Sequence, residues 1–99
     1  MRRETRREKL IRILSETEEP LTVDDLAFYL HEEDRRSIIE DLEHIAKTVR
    51  REGMVLLMEP ARCNKCGYVF RTARVKPPSR CPRCKSEWIS PPRFIIKED

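Results

Sequence analysis

Four residues of the chain have the type and spacing for metal chemistry: Cys63, Cys66, Cys81 and Cys84. They are all its cysteines, and they stand as Cys63-Asn64-Lys65-Cys66 and Cys81-Pro82-Arg83-Cys84 with fourteen residues between the pairs. Thiolates at i and i+3 on a tight turn supply two soft donors, and two such turns complete a tetrahedron. Two C-x-x-C pairs at about this separation match a ribbon-type zinc site. Gly67 follows the first pair, where the chain often needs positive φ. Pro82 fixes one backbone angle of the second turn. Four protein ligands leave no open position, so the metal expected here is structural Zn²⁺ rather than catalytic. Iron is the alternative occupant, because tetrahedral sulfur sites accept either metal. Two disulfides are the competing use of the same residues, disfavoured in the reducing compartment that the sequence suggests. Redox C-x-x-C motifs sit near a βαβ pattern, and the sequence offers none.

The 99 residues make one domain, or two very small ones sharing a core. A core this small leaves its lesser part in need of a metal staple. No apolar run approaches the ~18 residues of a membrane span, and the charged N-terminus lacks the apolar stretch of a signal peptide. A cytoplasmic protein without a membrane partner is expected. Charged residues are 39% of the chain, Gln is absent and Asn64 is the only Asn, a composition common in thermophile proteins. Residues 1–59 carry eleven Lys/Arg against fifteen Asp/Glu, and residues 60–99 carry ten against three. A divalent ion on four thiolates adds two negative charges to the second part, and Lys65, Arg80, Arg83 and Lys85 beside the cysteines offset them. Neither a Ser/His/Asp set nor a Gly-rich phosphate loop is present, so enzyme activity is not expected.

Around the cysteines the sequence lays out helices first and strands later. Residues 2–16 form a first helix with an apolar stripe of Leu10, Ile11, Ile13 and Leu14. Its start is basic, through Arg2, Arg3, Arg6, Arg7, Lys9 and Arg12. Thr22 caps a short second helix that carries Leu26, Ala27, Tyr29 and Leu30 on one side. His31-Glu32-Glu33-Asp34 is a turn. Asp34 or Ser37 caps the third helix, whose inward stripe is Ile38, Leu42, Ile45 and Val49. Gly53 stands as its C′ stop. Val55–Met58 is a strand, Tyr68–Val75 a second, Trp88-Ile89 a stub and Phe94–Ile96 a last strand. The simplest arrangement pairs Val55–Met58 with Phe94–Ile96, which puts the cysteine ribbon at the tip of one hairpin. Trp88 and Phe70 are expected to pack the ribbon's small core. His44 is most simply a surface histidine.

Three helices and a two-stranded hairpin are the order of a winged helix, and the second and third helices have helix-turn-helix spacing. The fold class is therefore α+β: a winged helix-turn-helix over residues 1–60 and 91–99, with a four-cysteine ribbon inserted at 61–90. Leu21-Thr22, Leu26-Ala27, Leu30, Ile38, Leu42, Ile45 and Gly53-Met54-Val55 look like the apolar frame of winged-helix regulators. With Cys63-x-x-Cys66-Gly67-Tyr68 and Cys81-Pro82-x-Cys84 added, the chain resembles a small archaeal family of predicted transcription regulators. In that family a winged helix-turn-helix carries a rubredoxin-like zinc ribbon at the wing. The resemblance implies binding of double-stranded DNA, with the third helix in the major groove. Arg36 and Ser37 would lie nearest base edges and Lys47 and Arg51 nearer phosphates. Arg71, Arg74 and Lys76 are the candidates for phosphate contact from the wing. Glu40 and Glu43 share the outward face of the third helix and oppose a DNA backbone there. The alternative is a protein-interaction adaptor of the transcription or RNA machinery, with the acidic second and third helices facing a basic partner. A third reading is rubredoxin-like electron transfer on iron.

Overall fold

The computed structural model describes residues 3–71 and 74–99. Thr5 has an extended backbone and its hydroxyl accepts the Glu8 N–H at 3.1 Å, so helix α1 runs Arg6–Glu16. The helix starts later than residue 2 because a threonine satisfies an orphan N–H better as a cap than from inside a helix. Arg3 and Glu4 are non-helical, and Arg2 lies outside the described residues. Helix α2, Val23–Leu30, opens on a reciprocal pair: Thr22 Oγ1 accepts the Asp25 N–H and the Asp25 carboxylate accepts the Thr22 N–H, both at 3.0 Å. It ends where His31 turns left-handed at φ 54°. Helix α3, Arg35–Arg50, is capped by Asp34, which accepts the Arg36 and Ser37 N–H groups. Of the two candidate caps Asp34 prevails, and Ser37 supports it by donating its hydroxyl to Asp34 at 2.8 Å. The α3 end is tighter than a glycine stop at C′. Arg51 is the cap, successive N–H groups reach back three residues, and Gly53 takes φ +78° one position further on.

Strand β1, Met54–Glu59, and strand β4, Arg93–Glu98, pair antiparallel from Met54↔Glu98 to Glu59↔Arg93. Leu21 adds a short bridge on the Phe94 edge, exchanging two backbone hydrogen bonds with it at 2.7 and 2.8 Å. Phe94 thereby enters the helical core with Leu10, Leu14, Leu26, Ile38, Leu42, Ile45 and Val49. The pairing expected between the two apolar strands is therefore present, and residues 60–92 leave and return through its far end. Strands β2, Arg62–Cys63, and β3, Ile89–Ser90, form a second, two-residue sheet. Between Tyr68 and Val75 the described residues make no strand beyond one bridge, Val69 to Arg62; Thr72 and Ala73 lie outside them. Val75 packs against the helical core rather than the ribbon. No helix among the described residues is long and apolar enough to cross a membrane.

One buried charge ties the helices together. Asp41 is 3% exposed on the inner side of α3. Arg6 Nε donates to its Oδ2 at 2.5 Å and Arg7 Nε to its Oδ1 at 2.9 Å. Burial alone would raise the Asp41 pKa, but the two guanidinium hydrogen bonds and charges outweigh it and hold the carboxylate below its ordinary value. A depressed folded-state pKa contributes stability that is present above the unfolded value near 3.9 and is lost as pH falls through the folded value. Arg6→Ala/Arg7→Ala strands the buried carboxylate and is expected to cost about 3–5 kcal/mol. Asp41→Asn leaves two half-exposed arginines that water can reach, and is expected to cost less, about 1–3 kcal/mol. Urea unfolding at pH 7 checks that order. Repeated below pH 4, it should find the Asp41→Asn deficit shrinking.

Candidate metal centre and basic surface

Each cysteine pair sits on a knuckle of the same backbone design. In the first, the Cys63 N–H donates to Tyr68 O at 2.8 Å and the Gly67 N–H to Cys63 O at 3.0 Å. In the second, the Cys81 N–H donates to Ser86 O and the Lys85 N–H to Cys81 O, both at 2.9 Å. Gly67 and Lys85 occupy the equivalent left-handed position, with φ +80° and +67°. The requirement is conformational in the first knuckle, since a Cβ on Gly67 would meet nothing within 4 Å. Lys85 meets the same requirement with a side chain that disfavours it.

The two knuckles bring the four cysteines together. All four Sγ atoms lie within 4.8 Å of one another, with Cys63–Cys84 at 3.5 Å and Cys66–Cys81 at 3.6 Å. All four are free thiols, and these separations are far beyond the ~2.05 Å of an S–S bond. The disulfide alternative is thereby overturned. A Zn–S bond of ~2.3 Å implies sulfur–sulfur edges of about 3.8 Å in a tetrahedron, so the donor set fits one ion. Cys63 and Cys81 are buried, Cys84 is half-buried and Cys66 is exposed. The Arg83 and Cys84 N–H groups point at Cys81 Sγ at 3.3 and 3.5 Å. The Cys66 N–H, aided by that of Lys65, lowers the Cys63 pKa to about 6. The Tyr68 N–H acts the same way on Cys66, but burial and the three neighbouring sulfurs prevail and push it up to about 11. Four thiols this close cannot all ionise near neutral pH without a cation among them. The set could hold a metal ion with all four positions filled by protein.

The basic residues singled out in the sequence do not form one cluster. Arg36 and Ser37 lie in the first turn of α3, and Ser37 is occupied with Asp34. Lys47 stands about 16 Å further along the helix, followed by Arg51 at its cap. Glu40 and Glu43 are exposed between them. Arg71 is exposed on the ribbon. Arg74 and Lys76 line a cleft of about 350 Å³ with Met58, Ala61, Phe70 and Pro78. The basic start of α1 is committed elsewhere, Arg6 and Arg7 to Asp41 and Arg12 to Glu4 at 3.1 Å. Tyr68 and Phe70 pack edge to face at 5.1 Å. Trp88 does not fill the ribbon core as expected: it is 67% exposed, and the half-buried Tyr68 and Phe70 pair with each other instead.

A helical body closed by a two-stranded sheet, with a four-cysteine β-ribbon between those strands, defines an α+β metal-ribbon class. The chain belongs to the PF0610-like family. The PF0610-like N-terminal model matches residues 5–57, and the PF0610 rubredoxin-like zinc beta-ribbon domain matches residues 60–99. The second match includes β4, the strand that pairs with β1. The chain is similar to protein PF0610 from Pyrococcus furiosus, solved by solution NMR. That similarity is 45% identity with a TM-score of 0.81, over 100% of this chain and 94% of that one. No curated protein matches the chain.

Two outcomes check this site. Removal of the metal by a strong chelator should abolish ribbon order while the far-UV signal of α1–α3 persists, since metal binding and folding are coupled in small sites. Gly67→Ala is expected to destabilise the metal-loaded chain by about 1–2 kcal/mol, because a Cβ disfavours the left-handed conformation. Lys85→Gly relieves the same strain and loses part of the gain to chain entropy, leaving a net stabilisation below about 1 kcal/mol. Thermal unfolding of the three chains distinguishes these signs.

Proposed function

We propose that the chain is a DNA-binding transcription regulator of the winged helix-turn-helix type, with β1 and β4 as the wing and a structural zinc in the ribbon. The observation that carries this reading is which cations lack a partner. Arg6, Arg7, Arg12, Arg35, Arg80 and Arg93 are all in ion pairs. Arg36, Lys47, Arg51, Arg71, Arg74 and Lys76 are exposed and have no ion pair among the described residues. Exposed cations without an ion pair, at both ends of α3 and on the ribbon, are what phosphate contact uses. The four thiolates take zinc because a closed sulfur tetrahedron suits it, and the metal's part is to hold the ribbon's shape.

The carboxylates of α3 shape how such a protein would bind. Glu40 and Glu43 face outward at mid-helix, so phosphate contact falls to the helix ends and to the ribbon. Ser37 contributes to its own helix cap rather than to a base edge. On this reading the ribbon, not the middle of α3, supplies most of the affinity.

A second reading is favoured by α2. Phe28 and Tyr29 are 76% and 56% exposed, and their rings pack edge to face at 5.8 Å. Phe28 borders a groove shared with Asp24, Glu32, Glu33 and Arg35, in which Asp24 pairs with Arg35 and Glu32 with Arg6, leaving Glu33 as the acid without an ion pair among the described residues. An acidic, aromatic surface of this kind suits a basic protein partner, as an adaptor would need.

Electrophoretic mobility shift on random duplex DNA at ~50 mM salt, where phosphate contacts are strongest, separates the readings. The regulator should shift the duplex and lose most of the shift in Arg71→Glu/Arg74→Glu. Binding should also weaken steeply as salt rises. A chain that shifts no duplex at that salt overturns the regulator reading and favours the adaptor.

A further inference from the structure

Trp88 is the chain's single tryptophan and stands 67% exposed on the ribbon. A ring of that size left in water gives up much of its burial energy, so its position asks for a ligand. Its backbone is fixed from both knuckles. The Trp88 N–H donates to Ser86 Oγ at 3.1 Å, and its carbonyl accepts the Asn64 N–H at 2.9 Å. Asn64 is itself held by the Ser90 hydroxyl on its Oδ1 at 2.9 Å. The ring is therefore mounted on the same scaffold that gathers the cysteines, with little freedom of its backbone to lose on binding.

Charge selects the ligand class. Residues 61–90 hold eight Lys/Arg and one carboxylate, Glu87, which pairs with Arg80 at 3.7 Å. Lys65 follows Asn64 and Lys85 precedes Ser86, so a cation adjoins each backbone anchor of the ring. Both are exposed and have no ion pair among the described residues. An exposed aromatic ring on a backbone held from both knuckles, with lysines next to those anchors in sequence, fits a planar ring joined to phosphate, and base stacking with backbone neutralisation is how unpaired strands are held. Duplex DNA hides its base faces and offers such a ring nothing to stack on. An anionic membrane would want a broader apolar face than one indole.

We propose that Trp88 is a stacking platform for an unpaired base, so that the ribbon takes single-stranded nucleic acid with Lys65 and Lys85 at flanking phosphates. This uses none of Arg71, Arg74 or Lys76 and stands apart from duplex binding. The metal-loaded full chain, titrated at ~50 mM salt with an oligothymidylate of about 12 residues, should show quenched Trp88 fluorescence. Trp88→Ala should weaken binding of the same oligomer, followed by the anisotropy of a label on it, by about 5- to 150-fold. Trp88→Phe should keep most of it. Unchanged metal content and far-UV signal establish that the variants fold. Absence of binding, binding without quenching, or equal affinity in Trp88→Ala overturns the proposal. So does quenching that anionic phosphatidylserine vesicles produce and the oligomer does not. Duplex binding that survives Trp88→Ala leaves the regulator reading standing while this one is judged on the single strand alone.

Discussion

Four sulfur atoms held within 4.8 Å of one another are the constraint on which the ribbon depends. Ionised together they repel, and protonated together they bind nothing. A cation at their centre would resolve the conflict and stand in for the core that residues 61–90 lack. β2 and β3 pair over two residues each, too little sheet to stand alone in water. The aromatic interior is one edge-to-face pair. The rest of the ribbon's order comes from the knuckles, whose backbone hydrogen bonds aim N–H groups at sulfur. The helical body faces no such shortage, because Phe94 and the stripes of α1–α3 close a conventional apolar core. The two halves meet through the β1–β4 ladder and through Val75, so the ribbon is held at both ends and at one point between.

Charge is distributed with the same division of labour. In the body, some arginines are spent on structure, Arg6 and Arg7 on the buried Asp41 and Arg35 on Asp24, while Arg36 and Arg51 are exposed with no ion pair among the described residues. In the ribbon, one carboxylate is available to eight cations. A metal tetrathiolate accounts for part of that excess, and the remainder faces solvent. Surface ion pairs add little stability, so leaving most ribbon cations unpaired costs the fold little.

Much of this was legible in the residues. Thr22 and Asp34 announce their helices because a short side-chain acceptor before an apolar period has few other uses. The β1–β4 pairing follows from two apolar runs flanking a ribbon that can bury neither. The cysteine spacing leaves little choice about the knuckles. Other features depend on contacts that a linear reading does not supply. Asp41 lies three residues after Ile38 on the inner side of α3, and an acid there signals a buried partner, but only the packing of α1 identifies Arg6 and Arg7. Tyr68–Val75 has strand composition, yet Val75 is claimed by the helical core. Trp88 has the composition of a core residue, yet it stands 67% exposed. The left-handed Lys85 becomes visible only once its knuckle is superimposed in mind on that of Gly67.

The central claim is that one ion, bound by all four cysteine sulfurs and by nothing else, holds the ribbon. X-ray absorption at the metal edge of the purified chain tests it most directly. Four sulfur neighbours in a single shell near 2.3 Å, the distance of zinc thiolates, are expected. A shell with nitrogen or oxygen neighbours, or fewer than four sulfurs per metal, would contradict it.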